Sequence, residues 1–154
     1  PNAAELEALA TDVRGLIEAA VPSGVSAEEG IAVAGTPTSL AAIEMELVPY
    51  DPARVHGHVL ELPAIQRMFS RLASVPLAER VQIPGLHPDR APSIVAGVVI
   101  LVETMRAFGL DSIAVSEHDI LYGTAIAVAA RTEKNRSVQS RNVAVPVGQS
   151  DGSL

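Results

Sequence analysis

The residues best suited to chemistry in this chain gather in a hydroxyl-rich turn, Gly35-Thr36-Pro37-Thr38-Ser39, within the stretch Gly30 to Ala42. The apolar run Ile31 to Ala34 before it predicts a short buried strand, and Leu40-Ala41-Ala42 after it predict a helix running to about Leu47. A strand that delivers its end into a helix start aims several backbone N–H groups at one spot, where the helix dipole adds positive potential. Gly35 lets a ligand approach the backbone, Pro37 suits the first helical position, and Thr36 can cap. Such a turn suits an oxyanion, phosphate first. The plain alternative is a capped connection with no ligand, because capping selects the same residue types.

Arg90 is the second candidate. It is expected in the first turn of a helix from about Arg90 to Phe108, where the dipole disfavours a cation, so an anion is its natural partner. Its planar fork matches phosphate oxygens, while a salt bridge to Asp89 or another carboxylate is the competing use. Glu117 and His118 follow a predicted strand, Ser112 to Ser116, and the end of a strand is the usual ligand position in an open α/β sheet. Glu117-His118-Asp119 tempt a metal reading, but adjacent turn residues seldom converge on one ion, so a helix cap with a hydrogen-bonding His is expected and no metal site is assigned. His56 and His58 would share one face of an extended segment, Val55 to Glu61, without a third ligand. No residue is assigned as catalytic base; turnover by the chain alone would turn attention to Glu44, Glu46 and Glu117.

The elements that must hold these groups follow from periodicity and punctuation. Leu6, Leu9, Val13, Leu16, Ile17 and Ala20 recur at helical spacing, Asn2 with Glu5 makes a capping box, and Pro22-Ser23-Gly24 ends the helix. Leu62, Ile65, Phe69 and Leu72 mark a helix between Pro63 and Pro76, and a short one follows at Leu77 to Val81. The helix closed by Gly109 is apolar almost all round and belongs in the interior, where Ala96-Gly97 permits close packing. Ile120 to Ala130 is a last helix, and residues 131–154 read as a polar C-terminal tail. Short parallel strands covered by several helices make an α/β protein. Helices that outnumber the sheet imply that strands are supplied from elsewhere.

With 154 residues and 48% hydrophobic content, a sizeable core is available, built from aliphatic side chains because aromatics are only 3%. A net charge of −7 opposes general binding to nucleic acid or to an anionic membrane. The longest apolar run, Ile94 to Val102, is nine residues, against roughly 20 for a bilayer span. The chain has no cysteine, which excludes disulfides and thiolate sites, and no leader is visible at its start; a cytoplasmic location is expected.

Four segments also carry a resemblance: the G-T-x-T-x-L-A-A turn at Gly35, the V-H-G at Val55, the G-L-x-P-x-R-A from Gly85, and the S-E-H-x-x-x-x-G from Ser116. In this order and spacing, over about Ala3 to Ala130, they resemble the exopolyphosphatase and guanosine pentaphosphate phosphohydrolase (Ppx/GppA) family. The resemblance implies a partial actin-like ATPase (ribonuclease H-like) domain, residues 1–130 being the later portion of the second domain. It implies terminal phosphate release from polyphosphate or guanosine pentaphosphate with Mg²⁺, and a homodimer. Gly35, Thr36, Thr38, Ser39 and Arg90 become phosphate-side contacts, with Glu117 and His118 as second-turn contacts. Motifs of the first domain, its phosphate loop and catalytic carboxylate among them, have no match here, so the missing N-terminal region becomes a required partner and this chain alone is expected to be inactive. Ala34 stands where the family usually has glycine, and Asp119 and Leu121-Tyr122 depart from its second-turn pattern. Two further readings are a non-catalytic phosphate-binding or oligomerisation module, and a kinase-like relative that transfers phosphate to an acceptor.

Overall fold

The computed structural model describes residues 1–142, with side chains through residue 132. One compact unit spans Pro1–Glu117, and a second begins at His118.

Helix α1 (Ala3–Ala20) starts at the expected capping box: Glu5 N–H donates to Asn2 Oδ1 at 2.9 Å, and Asn2 N–H donates to Glu5 Oε2 at 2.8 Å. It buries Ala10 and Val13 and packs along α6 (Ile94–Phe108). Glu103 of α6, buried, ties the pair together by accepting from Arg14 of α1 at 3.3 Å, and it also accepts from Arg106 of its own helix at 2.7 Å. Gly109 closes α6 in the left-handed region, as expected of a glycine after a helix end.

The sheet has three strands in the order β1 (Ile31–Val33), β3 (Ser112–Ser116), β2 (Val59–Glu61). β1 runs parallel to β3, which a hairpin could not achieve and the long connection through helices allows, while β2 runs antiparallel. The extended segment expected at Val55 to Glu61 shrinks to β2, because Asp51 caps a one-turn helix α3 (Pro52–Val55) through a 3.0 Å bond from Ala53 N–H.

Among the described residues only one face of the sheet is covered. Leu60, Ile113 and Val115 turn inward and join Leu40, Ile65, Leu72, Ile94, Val95 and Val98 from the helices in one core. The opposite face, with Ile31, Val33 and Val59 exposed around Ala114, is bare. The strand expected to be buried at Ile31 to Ala34 is therefore an edge strand, with Ile31 73% exposed. Periodicity cannot see this, because an apolar run looks the same whether its second face is covered or waiting to be covered.

Helix α2 (Gly35–Glu44) follows β1 directly, and α4 (Leu62–Ser74) and α5 (Leu77–Arg80) follow β2. Arg80, buried, lends its guanidinium to the carbonyls of Leu72 (2.8 Å), Val75 (2.9 Å) and Ala91 (3.2 Å). The Leu72 and Val75 carbonyls are acceptors at the end of α4 that the helix itself leaves open.

In the second unit, α7 (Ile120–Asn142) is capped by Asp119, whose Oδ1 accepts from Leu121 N–H at 2.9 Å and Tyr122 N–H at 3.3 Å. The helix runs on past Ala130, since Arg131, Glu133, Lys134, Arg136 and Gln139 are all good helix formers. Residues 143–154 of the expected tail lie outside the described residues. No helix among the described residues is long and apolar enough to cross a membrane.

Candidate functional site

The hydroxyl-rich turn forms the first turn of α2, two residues earlier than expected. The N-cap is Ala34, at φ 74° and ψ −173°, and no side chain caps the helix. Gly35 is the first helical residue, Thr36 the second and Pro37 the third, so Thr36 is not the cap and Pro37 is not at the first position. The physical reason is the abrupt end of β1: the chain reverses at Ala34, and helical geometry begins at once. The N–H groups of Gly35 and Thr36 belong to the first turn, which has no intrahelical acceptors for them.

The Arg90 guanidinium lies directly against Gly35. A Cβ added at Gly35 would run into Cζ of Arg90 and stand 2.8 Å from its Nε and Nη1. Arg90 ends a short 3-10 turn (Pro88–Arg90), four residues before α6 begins, and is not in the first turn of α6 as expected. The cation sits instead at the N-terminus of α2, where the helix dipole likewise disfavours it. Among the described residues Arg90 forms no ion pair; Asp89 pairs instead with His87 at 3.7 Å.

The other predicted residues divide. Thr38 lies in the same first turn and donates its hydroxyl to the carbonyl of Ala34 at 3.1 Å. Ser39 is buried, on the core side of α2. Thr36 is turned toward α6, where its hydroxyl fills the space a side chain at Gly97 would need. Glu117, at the end of β3, joins the first turn through a residue that the sequence did not mark. The Tyr50 hydroxyl donates to Glu117 Oε1 and is also within hydrogen-bonding reach of Thr38. Burial first, then the bond to Glu117, push the Tyr50 phenol up to about 12. Glu117 N–H in turn donates to His56 Nδ1 at 3.3 Å. Tyr50 lies in the Pro-rich segment Val48-Pro49-Tyr50-Asp51-Pro52, and nothing local to it signals a partner 67 residues on.

His118, in the second unit, stacks on Tyr122 with ring centroids 4.0 Å apart. His56 and His58 do not share a strand face: His58 bonds Glu44 at 2.6 Å, whereas His56 meets Glu117. Among the described residues no three His, Asp or Glu side chains are placed to hold one metal ion. These residues therefore do not by themselves form a Mg²⁺ site.

The arrangement places the Arg90 guanidinium against Gly35 beside the open amides of the first turn of α2, with Thr38, Tyr50, Glu117 and His56 linked in series next to it. Such an arrangement can hold an oxyanion.

Comparison with known proteins gives the same direction. The sequence profile of the Ppx/GppA phosphatase family matches residues 4–125. Exopolyphosphatase 2 of Mycobacterium tuberculosis is 32% identical over 103 residues, covering 64% of this chain and 32% of that protein. A bifunctional 3-dehydroquinate synthase/phosphatase of Fusobacterium nucleatum is 34% identical over 93 residues, covering 60% of this chain and 14% of that protein. Among solved structures, a Ppx/GppA family member from Aquifex aeolicus superposes with a TM-score of 0.78 at 26% identity, over 86% of this chain and 42% of that one. An exopolyphosphatase-like protein superposes at 0.79 with 25% identity, over 86% of this chain and 45% of that one. The chain thus spans about a third of the length of the exopolyphosphatase it matches.

Proposed function

This chain belongs to the Ppx/GppA phosphatase family, and on that premise we propose that it is one wall of a phosphate-binding cleft in a phosphohydrolase. Its fold is the α/β, actin-like ATPase type of that family. The observation that carries the proposal is the Arg90 guanidinium packed on the first residue of α2. A cation at the positive end of a helix is the wrong sign, and an oxyanion between them makes both favourable. In a terminal-phosphate transfer to water, this wall would stabilise charge on the phosphoryl oxygens through the Gly35 and Thr36 amides and Arg90. Thr38 and Glu117 border it, and Ser39 supports it from the core side. The nucleophile-activating carboxylate, and the divalent ion that family membership implies, would be held by the N-terminal region preceding this portion of the second domain. Substrates of the whole protein would be polyphosphate or guanosine pentaphosphate, in a cytoplasmic homodimer, with residues 1–130 as the later portion of that domain. The bare sheet face and the free edge of β1 support this division, since strands of this kind need neighbours.

The same bare face favours a second reading, a non-catalytic phosphate-binding module that assembles through its sheet. One experiment bears on both. Sodium tripolyphosphate titrated into the ¹⁵N-labelled chain should shift the Gly35 and Thr36 amide resonances, and Arg90→Ala should weaken that binding by about tenfold or more, the loss of a charged bond. Mg²⁺-dependent phosphate release should be absent from the chain alone and appear when the upstream region is restored. Binding with no release in either form would favour the module.

A further inference from the structure

Glu117 is out of place beside an oxyanion site. Its carboxylate is linked through the Tyr50 oxygen to Thr38, in the first turn of α2, so it lies no more than two hydrogen-bond lengths from the Thr38 hydroxyl. An unrestrained carboxylate there would swing across the first turn and repel any anion held by Gly35, Thr36 and Arg90. Two contacts prevent this. The Tyr50 hydroxyl donates to Oε1, and the Glu117 backbone is held by His56. The loop carrying His56 is itself pinned to β3, with Gly57 N–H donating to the Val115 carbonyl and Val115 N–H to the His58 carbonyl, both at 2.8 Å.

We propose that Tyr50 is a positioning residue of this wall: its hydroxyl ties down the Glu117 carboxylate and fixes the spacing between the turn after β1 and the turn after β3. The Thr38 hydroxyl has one proton, and its 3.1 Å contact with the Ala34 carbonyl competes with the Tyr50 oxygen for it. Tyr50 therefore acts chiefly as donor to Glu117, and its effect on anion binding is electrostatic. This rests on the phosphate reading given above.

The test separates the two. Tripolyphosphate is titrated into the ¹⁵N-labelled chain and its Tyr50→Phe, Glu117→Gln and doubly substituted forms, following the Gly35 and Thr36 amides. Tyr50→Phe should weaken binding about three- to tenfold by freeing a like charge, and adding Glu117→Gln should restore it to within about twofold. A hydroxyl that serves only the fold would not be rescued by neutralising Glu117. Unchanged binding in Tyr50→Phe, or weakening without rescue, overturns the positioning role while leaving the phosphate site standing. No response from the unsubstituted chain overturns the phosphate reading, and this role with it. If Tyr50→Phe fails to fold, Glu117→Asp keeps the charge and shortens its reach to Tyr50. It must weaken binding likewise, and unchanged binding overturns the proposal.

Discussion

Ala34 occupies a backbone region, φ 74° and ψ −173°, that glycine alone adopts freely. Such a conformation costs about 1–3 kcal/mol for a residue with a Cβ, whereas glycine's extra unfolded-state entropy costs about 0.5–1 kcal/mol. Ala34→Gly should therefore stabilise the chain by about 1 kcal/mol, read as a higher urea midpoint at constant slope; a lower midpoint would show that the turn carries no such strain. Tyr50 gives a pH dependence. Its phenol is raised from 10.0 to about 12 by burial and by Glu117, so the folded state keeps a proton that the unfolded chain loses between those values. The stability this contributes is complete below pH 10 and disappears as pH rises from about 10 to about 12. The shift would correspond to about 3 kcal/mol, but Tyr50 is 45% exposed, and solvent screening reduces this to about 1 kcal/mol. Thermal melts should fall more steeply above pH 10 for the native chain than for Tyr50→Phe. At this scale the sequence displayed the residue types of the turn but not their partners: Arg90 and Gly35 are 55 positions apart, and only folding makes them touch.

The elements that present the site depend on two close approaches that residue types alone do not announce. Thr36 sits where a side chain at Gly97 would have to go, so Gly97→Ala pushes the first turn of α2 off α6. Turning χ1 moves the Thr36 hydroxyl but leaves its Cβ only 3.3 Å from the added methyl, and the expected loss is about 2 kcal/mol with displaced Thr36 and Gly35 amide resonances. Arg80 caps carbonyls of Leu72, Val75 and Ala91. Replacing it by Met would leave those buried acceptors unpaired and should cost about 3 kcal/mol or more by urea unfolding. The long helices and β3 were readable because their apolar spacing or their run of β-formers is local. Ala96-Gly97 was readable as a packing site, but its partner was not. Arg80 was invisible as a core residue, because an Arg in Leu-Ala-Glu-Arg reads as a surface charge until the surrounding chain closes over it.

On the scale of the whole molecule, the exposed face and edge of the sheet govern behaviour. Ile31, Val33 and Val59 expose an apolar face, and β1 ends the sheet with an open edge. The isolated chain should self-associate at concentrations of tens of micromolar, and Val33→Lys should shift it toward monomer in light scattering without lowering its melting temperature, since Val33 is 38% exposed and its face is bare. A monomeric native chain would contradict this. The sequence by itself determined the α/β class, the places of the principal helices, the hydroxyl-rich turn and the family likeness, because these are written in local spacing and short motifs. Tertiary structure alone decided that Arg90 serves α2 and not α6, that Tyr50 bridges Thr38 and Glu117, that Ser39 faces the core, and that one face of the sheet stays open. Each of these depends on which distant segments meet, and local spacing does not record that.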